Sequence, residues 1–156
     1  MKYKGRGQCI IVRKNKVLMV KHTENEKSYL CLPGGGIEIN ENTEYGSLRE
    51  LQEECNVTGK IVMKTSELYE QTNEGVKCHV TFLVDIGEQN PKLGFDPECK
   101  DKNNPILQDI GWYSLEEICE RDRAFLWAAG LFQVEIFANE IHSWSDEISY
   151  PSKRTV

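Results

Sequence analysis

The chain has no apolar run long enough to cross a bilayer, which takes roughly 20 residues as a helix, so membrane spanning is not expected. It also opens without the apolar leader that marks export, so secretion is not expected either. Basic charge is scarce. Lys and Arg number 19 against 25 Asp and Glu, a formal net charge of −6. That balance argues against gripping long nucleic acid, which needs a basic surface. Paired cysteines are missing too. The six present, at 9, 31, 55, 78, 99 and 119, form no C-x-x-C and no zinc-like grouping with the three histidines. Several sit in apolar patterns, so reduced core thiols and a reducing cytoplasm are expected rather than a disulfide framework. Internal repeats and low-complexity tracts are absent. The 156 residues suit one domain with a proper core, expected over 1–156 with its core at about 5–142 and a frayed tail at 150–156.

What is present starts with strand signals. Residues 7–13 and 16–22 are β-rich runs split by Lys14-Asn15, a hairpin pattern. Residues 29–32 form a short strand that enters a loop at Gly34-Gly35-Gly36. That loop lacks the Lys-Ser/Thr ending of a P-loop, which sets that phosphate-binding mode aside. A helix is expected over 43–55, capped by Asn42 or Thr43. Extended segments follow at 57–71, bent near Thr65-Ser66, and at 76–86. Residues 87–108 carry three prolines and no periodicity, the pattern of a long loop that is either functional or mobile. A strand at 109–113 precedes Ser114, which opens a capping box with Glu117. Residues 122–143 read as one long helix with a wide apolar face; Trp127 and Phe132 on it are candidates for a subunit contact or for stacking on a nucleobase.

The densest chemical signal is Arg49-Glu50-Leu51-Gln52-Glu53-Glu54. At helical spacing the three carboxylates share an arc of roughly 100°, with Tyr45, Leu48, Leu51 and Cys55 on the other side. Like charges at i, i+3 and i+4 repel, and a hard divalent cation turns that repulsion into a site. Arg49 stands one turn before Glu53 and can pair with it, which leaves Glu50 and Glu54 freest to hold metal.

These residues carry a resemblance. Gly35, five residues, Glu41, seven residues, then Arg49 through Val57 is similar to the Nudix box, G-x5-E-x7-R-E-U-x-E-E-x-G-U, where U is aliphatic. The one departure is Asn56 for the final Gly, and Asn is the next-best residue at a left-handed helix end. With the flanking pattern, the resemblance implies an α/β (α+β) fold, an α/β/α sandwich with a mixed sheet between helices. It implies a pyrophosphohydrolase acting on a nucleoside diphosphate linked to another moiety, with Mg2+ or Mn2+ as cofactor. By motif position Glu50 and Glu54 are the main metal ligands and Glu53 is a further ligand or the residue that Arg49 holds. The Gly34 carbonyl is an additional ligand, and Glu41 supports the loop and helix. Arg49, Glu53 and Glu54 form the catalytic set. The base is either a box glutamate or a loop acid among Glu88, Asp96, Glu98, Asp101 and Asp109, of which Glu98 and Asp109 are named. The substrate expected is a small nucleotide such as a (deoxy)nucleoside triphosphate; a homodimer is compatible. The alternative is a non-catalytic nucleotide or nucleotide-sugar sensor domain.

Overall fold

In the strand Lys16–Glu24, Val17 and Met19 point to one side and Leu18 and Val20 to the other, and all four are buried. A strand buried on both faces needs a packed layer on each side, and the computed structural model, which describes residues 2–97 and 106–142, supplies both. The order is β1 (Tyr3–Ile10), β2 (Val12–Arg13), β3 (Lys16–Glu24), β4 (Lys27–Cys31), β5 (Gly34–Glu38), α1 (Thr43–Cys55), β6 (Lys60–Thr72), β7 (Gly75–Asp85), β8 (Leu107–Tyr113), a 3-10 turn at Leu115–Glu117, α2 (Glu120–Ala128), a second 3-10 turn at Leu131–Gln133, and α3 (Glu135–His142).

The strands form two four-stranded sheets. The first runs β5-β1-β7-β6 and is mixed, because β1 and β7 are parallel and the other pairs antiparallel. In the second, β3 pairs antiparallel with β2, β4 and β8. Alternate residues of both sheets feed two cores. Cys9, Ile11, Leu18, Val20 and Phe82 meet Leu51 and Cys55 of α1. Ile10, Val17, Met19 and Leu32 meet Leu126, Leu131 and Phe137 on the helical segment after β8. The result is the expected α/β/α layering. Burial pushes the thiols of Cys9 and Cys55 up, that of Cys55 to about 12, so both stay protonated and inert at neutral pH. The five described cysteines are free.

Several expectations change in detail. Gly34–Gly36 is strand rather than loop, since β5 pairs with β1 from Gly34↔Gln8 to Gly36↔Arg6. Tyr45 is exposed instead of joining the buried face of α1. The last strand starts at Leu107, and Ser114 opens a 3-10 turn in which its N–H donates to the Glu117 carboxylate at 2.7 Å. The bend in β6 is a bulge at Thr65, marked by a register shift between Lys64 and Ser66.

The single helix expected at 122–143 is broken into α2, a 3-10 turn and α3. Gly130 is the reason. It adopts φ 89°, and a Cβ there would lie 2.3 Å from the Thr65 carbonyl oxygen. The break seats the α2 end on the edge strand β6: Thr65 Oγ1 donates to the Ala129 carbonyl at 2.7 Å, and Gln133 donates to the Thr65 carbonyl. An edge strand is thereby partly covered. Trp127 and Phe132 stack on each other at 4.4 Å, with Trp127 against the second core. Residues 143–156, with the expected tail, lie outside the described residues.

Gly130→Ala is expected to destabilise the protein by about 2 kcal/mol or more, from left-handed strain added to the clash with β6. Urea unfolding monitored by circular dichroism measures it, and a midpoint equal to that of the parent chain would contradict the role given to this glycine.

Candidate active site

The site is built on α1. Asn42 caps its start, accepting from the Tyr45 N–H at 2.7 Å, and Asn56 closes it in the left-handed conformation at φ 54° and ψ 37°, as the box departure allows. Gly46 and Ser47 are both buried and let the helix lie close on the sheet. A Cβ at Gly46 would come within 2.6 Å of Ile37 Cδ1, and one at Gly7 of β1 within 2.1 Å of Ser47 Oγ. Larger residues would push the acidic face away from β1 and β5.

Arg49 organises that face. Its guanidinium donates to Glu41 at 2.7 and 3.1 Å, Glu50 at 2.8 Å, Glu53 at 3.2 Å and the Gly36 carbonyl at 2.9 Å. Such a planar fork suits several oxygen acceptors at once. Glu41 is held well below the usual carboxylate range, chiefly by Arg49, and it also accepts from the Glu38 N–H at 2.8 Å. The pairing of Arg49 with Glu53 is present, but Glu50 is not left free: its carboxylate lies on Arg49 and over β5, where a Cβ at Gly35 would meet it at 2.4 Å. Burial raises Glu50, and Arg49 opposes the rise.

Glu54 is the exception. It is 5% exposed, its Oε2 is buried with no hydrogen-bond partner, and it has no contact with Arg49 among those described. Burial pushes its carboxyl up to about 8, the charge of Arg6 pulls it down, Glu50 raises it, the Gly34 backbone hydrogen-bonds to it, and Asp96 raises it further. A buried oxygen without a partner is costly, and a divalent cation is a partner of the right kind. Among the described residues no three acidic, His or Cys side chains already stand as a metal cage, and Glu50 is turned onto Arg49. The donor set fits nonetheless: hard carboxylate oxygens on Glu50 and Glu54, with Glu53 one turn from Arg49.

Asp96 was not singled out by the sequence. The backbone of 92–95 runs along the C-terminus of α1, donating from Lys92 to Cys55 at 2.9 Å, Gly94 to Glu54 at 2.8 Å and Phe95 to Glu53 at 3.0 Å. A Cβ at Gly94 would sit 1.8 Å from the Glu53 carbonyl, so glycine is required there. This pinned strap brings Asp96 within electrostatic reach of Glu54 and His22. Glycine two residues before an acid was the available signal. Glu98 and Asp101 lie outside the described residues. Asp109 is exposed on β8, paired with Lys21, on the face that turns away from α1.

A cavity of about 770 Å³ is walled by β1, β3, β4, β6, β7 and α2 and lined in part by Arg6, Gln8, His22, Tyr29, Leu68 and Phe125; the α1 acids do not line it, but the charge of Arg6 acts on Glu50 and Glu54. Gln8 Nε2 donates to Thr81 Oγ1 at 2.9 Å. His22 packs edge-on against Tyr29 at 5.4 Å, burial lowers its pKa so that it is neutral, and its Nε2 is buried without a partner.

Comparison with known proteins agrees with this arrangement. The NUDIX domain model matches residues 3–133. A 91-residue segment is 32% identical to an ADP-ribose pyrophosphatase of Methanocaldococcus jannaschii, covering 56% of this chain and 53% of that protein, so the match spans about half of the relative's length. The crystal structure of a MutT NUDIX hydrolase from Burkholderia pseudomallei superposes with a TM-score of 0.60 at 18% identity, over 82% of this chain and 98% of that one. The solution structure of the E. coli ORF135 protein gives 0.62 at 18% identity, over 85% and 92%. At such identities the two structures speak to fold alone.

The buried acid generates a pH prediction. Between the ordinary carboxylate value of 4.5 and about 8, the native state of the metal-free protein holds a proton on Glu54 that the unfolded chain has released. Stability therefore falls as pH rises through that window, by a few kcal/mol. In EDTA, Glu54→Gln should be more thermostable than the parent at pH 8.5 and lose that advantage by pH 4.5. Parallel melting curves across the range would contradict the assignment.

Proposed function

The chain belongs to the Nudix family, and from that membership we propose that it is a metal-dependent pyrophosphohydrolase, cleaving the P–O–P linkage of a nucleoside diphosphate joined to another moiety. The observation that carries the reading is the buried Glu54 carboxylate, one oxygen unpartnered, on the same helix face as Glu50, in a chain whose cavity of about 770 Å³ is large enough for a nucleoside. Family members use divalent ions; Mg2+ or Mn2+ is proposed here, held by Glu50 and Glu54 with Glu53 and the Gly34 carbonyl as further donors. Such an ion offsets charge on the diphosphate and acidifies water.

The chain's own residues do the rest. Arg49 fixes the side chains of Glu50 and Glu53, so that their negative charge is in place before substrate arrives. Water attacks one phosphorus, a P–O bond to the bridging oxygen breaks, and a nearby carboxylate takes the water proton. Glu53 and Asp96 are the candidates for that role: the first has a side chain 25% exposed on the acidic face, the second is carried on the pinned strap.

The name of the matched archaeal relative, an ADP-ribose pyrophosphatase, supports a dinucleotide-like diphosphate as readily as the (deoxy)nucleoside triphosphate expected from the sequence. A non-catalytic sensor would have no need for the burial cost at Glu54 or for the full Arg49-Glu50-Glu53-Glu54 set, and nothing observed favours it. A cytoplasmic enzyme of one domain is the setting proposed; among the described residues no helix is long and apolar enough to cross a membrane.

A phosphate-release screen over ADP-ribose, dinucleoside polyphosphates and nucleoside triphosphates, with Mg2+ and then Mn2+, tests this. At least one substrate should turn over, and Glu54→Gln should lower kcat by at least about two orders of magnitude. Equal turnover in the variant would mean that the acids have been given the wrong role.

A further inference from the structure

Arg6 stands apart from every other arginine near the site. It lies on β1, between Gly36 of β5 and His79 of β7, half-buried. Its guanidinium forms no hydrogen bond and no ion pair among the described residues, although its charge acts on Glu50, Glu54, His22, Tyr29 and Cys31. It also lines the cavity. A half-buried cation that pairs with neither Glu50, which lies on Arg49, nor Glu54 keeps its donors for something else. Arginine's fork matches the oxygens of a phosphate, and this one lines the cavity while its charge reaches Glu50 and Glu54. The second group left without a partner among the lining residues is His22 Nε2.

We propose that Arg6 binds a non-bridging oxygen of the substrate's diphosphate on the nucleoside side of the scissile bond, so that the nucleoside enters the cavity past His22 and the far phosphate meets Glu50 and Glu54. The substrate class that follows is a nucleotide whose base or nucleoside, rather than its other moiety, is the buried end. This rests on the hydrolase reading above and adds an orientation and a specificity residue to it.

The test separates the two. Adenosine α,β-methylenediphosphate, which cannot be hydrolysed at that bridge, is titrated calorimetrically in EDTA into Glu54→Gln and into Glu54→Gln with Arg6→Ala, so that no change can come through metal. KM is measured in parallel with Mg2+ for the parent, Arg6→Ala and Arg6→Lys. Expected are a loss of about tenfold or more in probe affinity and a rise of about tenfold or more in KM for Arg6→Ala, with partial recovery in Arg6→Lys, on the scale of a charge-assisted hydrogen bond. A parent that turns over substrate while Arg6→Ala leaves probe affinity and KM unchanged overturns the role of Arg6 and leaves the hydrolase reading intact. Probe binding that weakens as expected, with no turnover of any substrate by the parent, sustains Arg6 and overturns the hydrolase.

Discussion

One guanidinium holds the site together. Arg49 faces Glu41, Glu50 and Glu53 and the Gly36 carbonyl at once, so a single positive charge offsets three negative ones on a surface that would otherwise repel itself. Two of those carboxylates are nearly buried, with side chains 9% and 12% exposed, and removing one partner of such a pair typically costs several kcal/mol because the other is left uncompensated. The glycines at 35 and 46 follow from the same constraint. A helix bearing this cluster must lie within contact distance of β5, and a side chain at Gly35 would meet Glu50 while one at Gly46 would meet Ile37.

Glu54 gains nothing from Arg49, and that asymmetry is the functional point. Three acids share one arginine, and the fourth is buried, raised in pKa and left with an open oxygen. Folding tolerates the cost because the first core fixes α1 by its opposite face, through Leu51 and Cys55. A stability cost concentrated at one polar group is how binding sites differ from the rest of a fold.

Most of this was legible in the letters. The fixed spacing from Gly35 to Val57 named the family, and the left-handed cap at Asn56 followed from ordinary helix-end chemistry. What was not legible came from contacts distant in sequence. The triple glycine looks like a loop until β1 is available to pair with it. The apolar run after Asp122 looks like one helix because periodicity does not register that Gly130 must turn back onto Thr65, 65 positions earlier. Asp96 could not be told from its acidic neighbours, since its place depends on three backbone N–H groups reaching the end of α1. Arg6 carried no signal at all; an isolated arginine in a strand reads as solvated surface until the cavity beside it is seen.

The central claim is that this acidic helix face is a divalent-cation site completed by Glu54. Titration of Mn2+ into the protein, with free ion followed by electron paramagnetic resonance, addresses it without reference to substrate or turnover. Bound Mn2+ that disappears when Glu50 and Glu54 are both changed to Gln, in a protein that still folds, is the predicted result. Binding that persists undiminished in that double variant, or no binding by the parent chain, would contradict it.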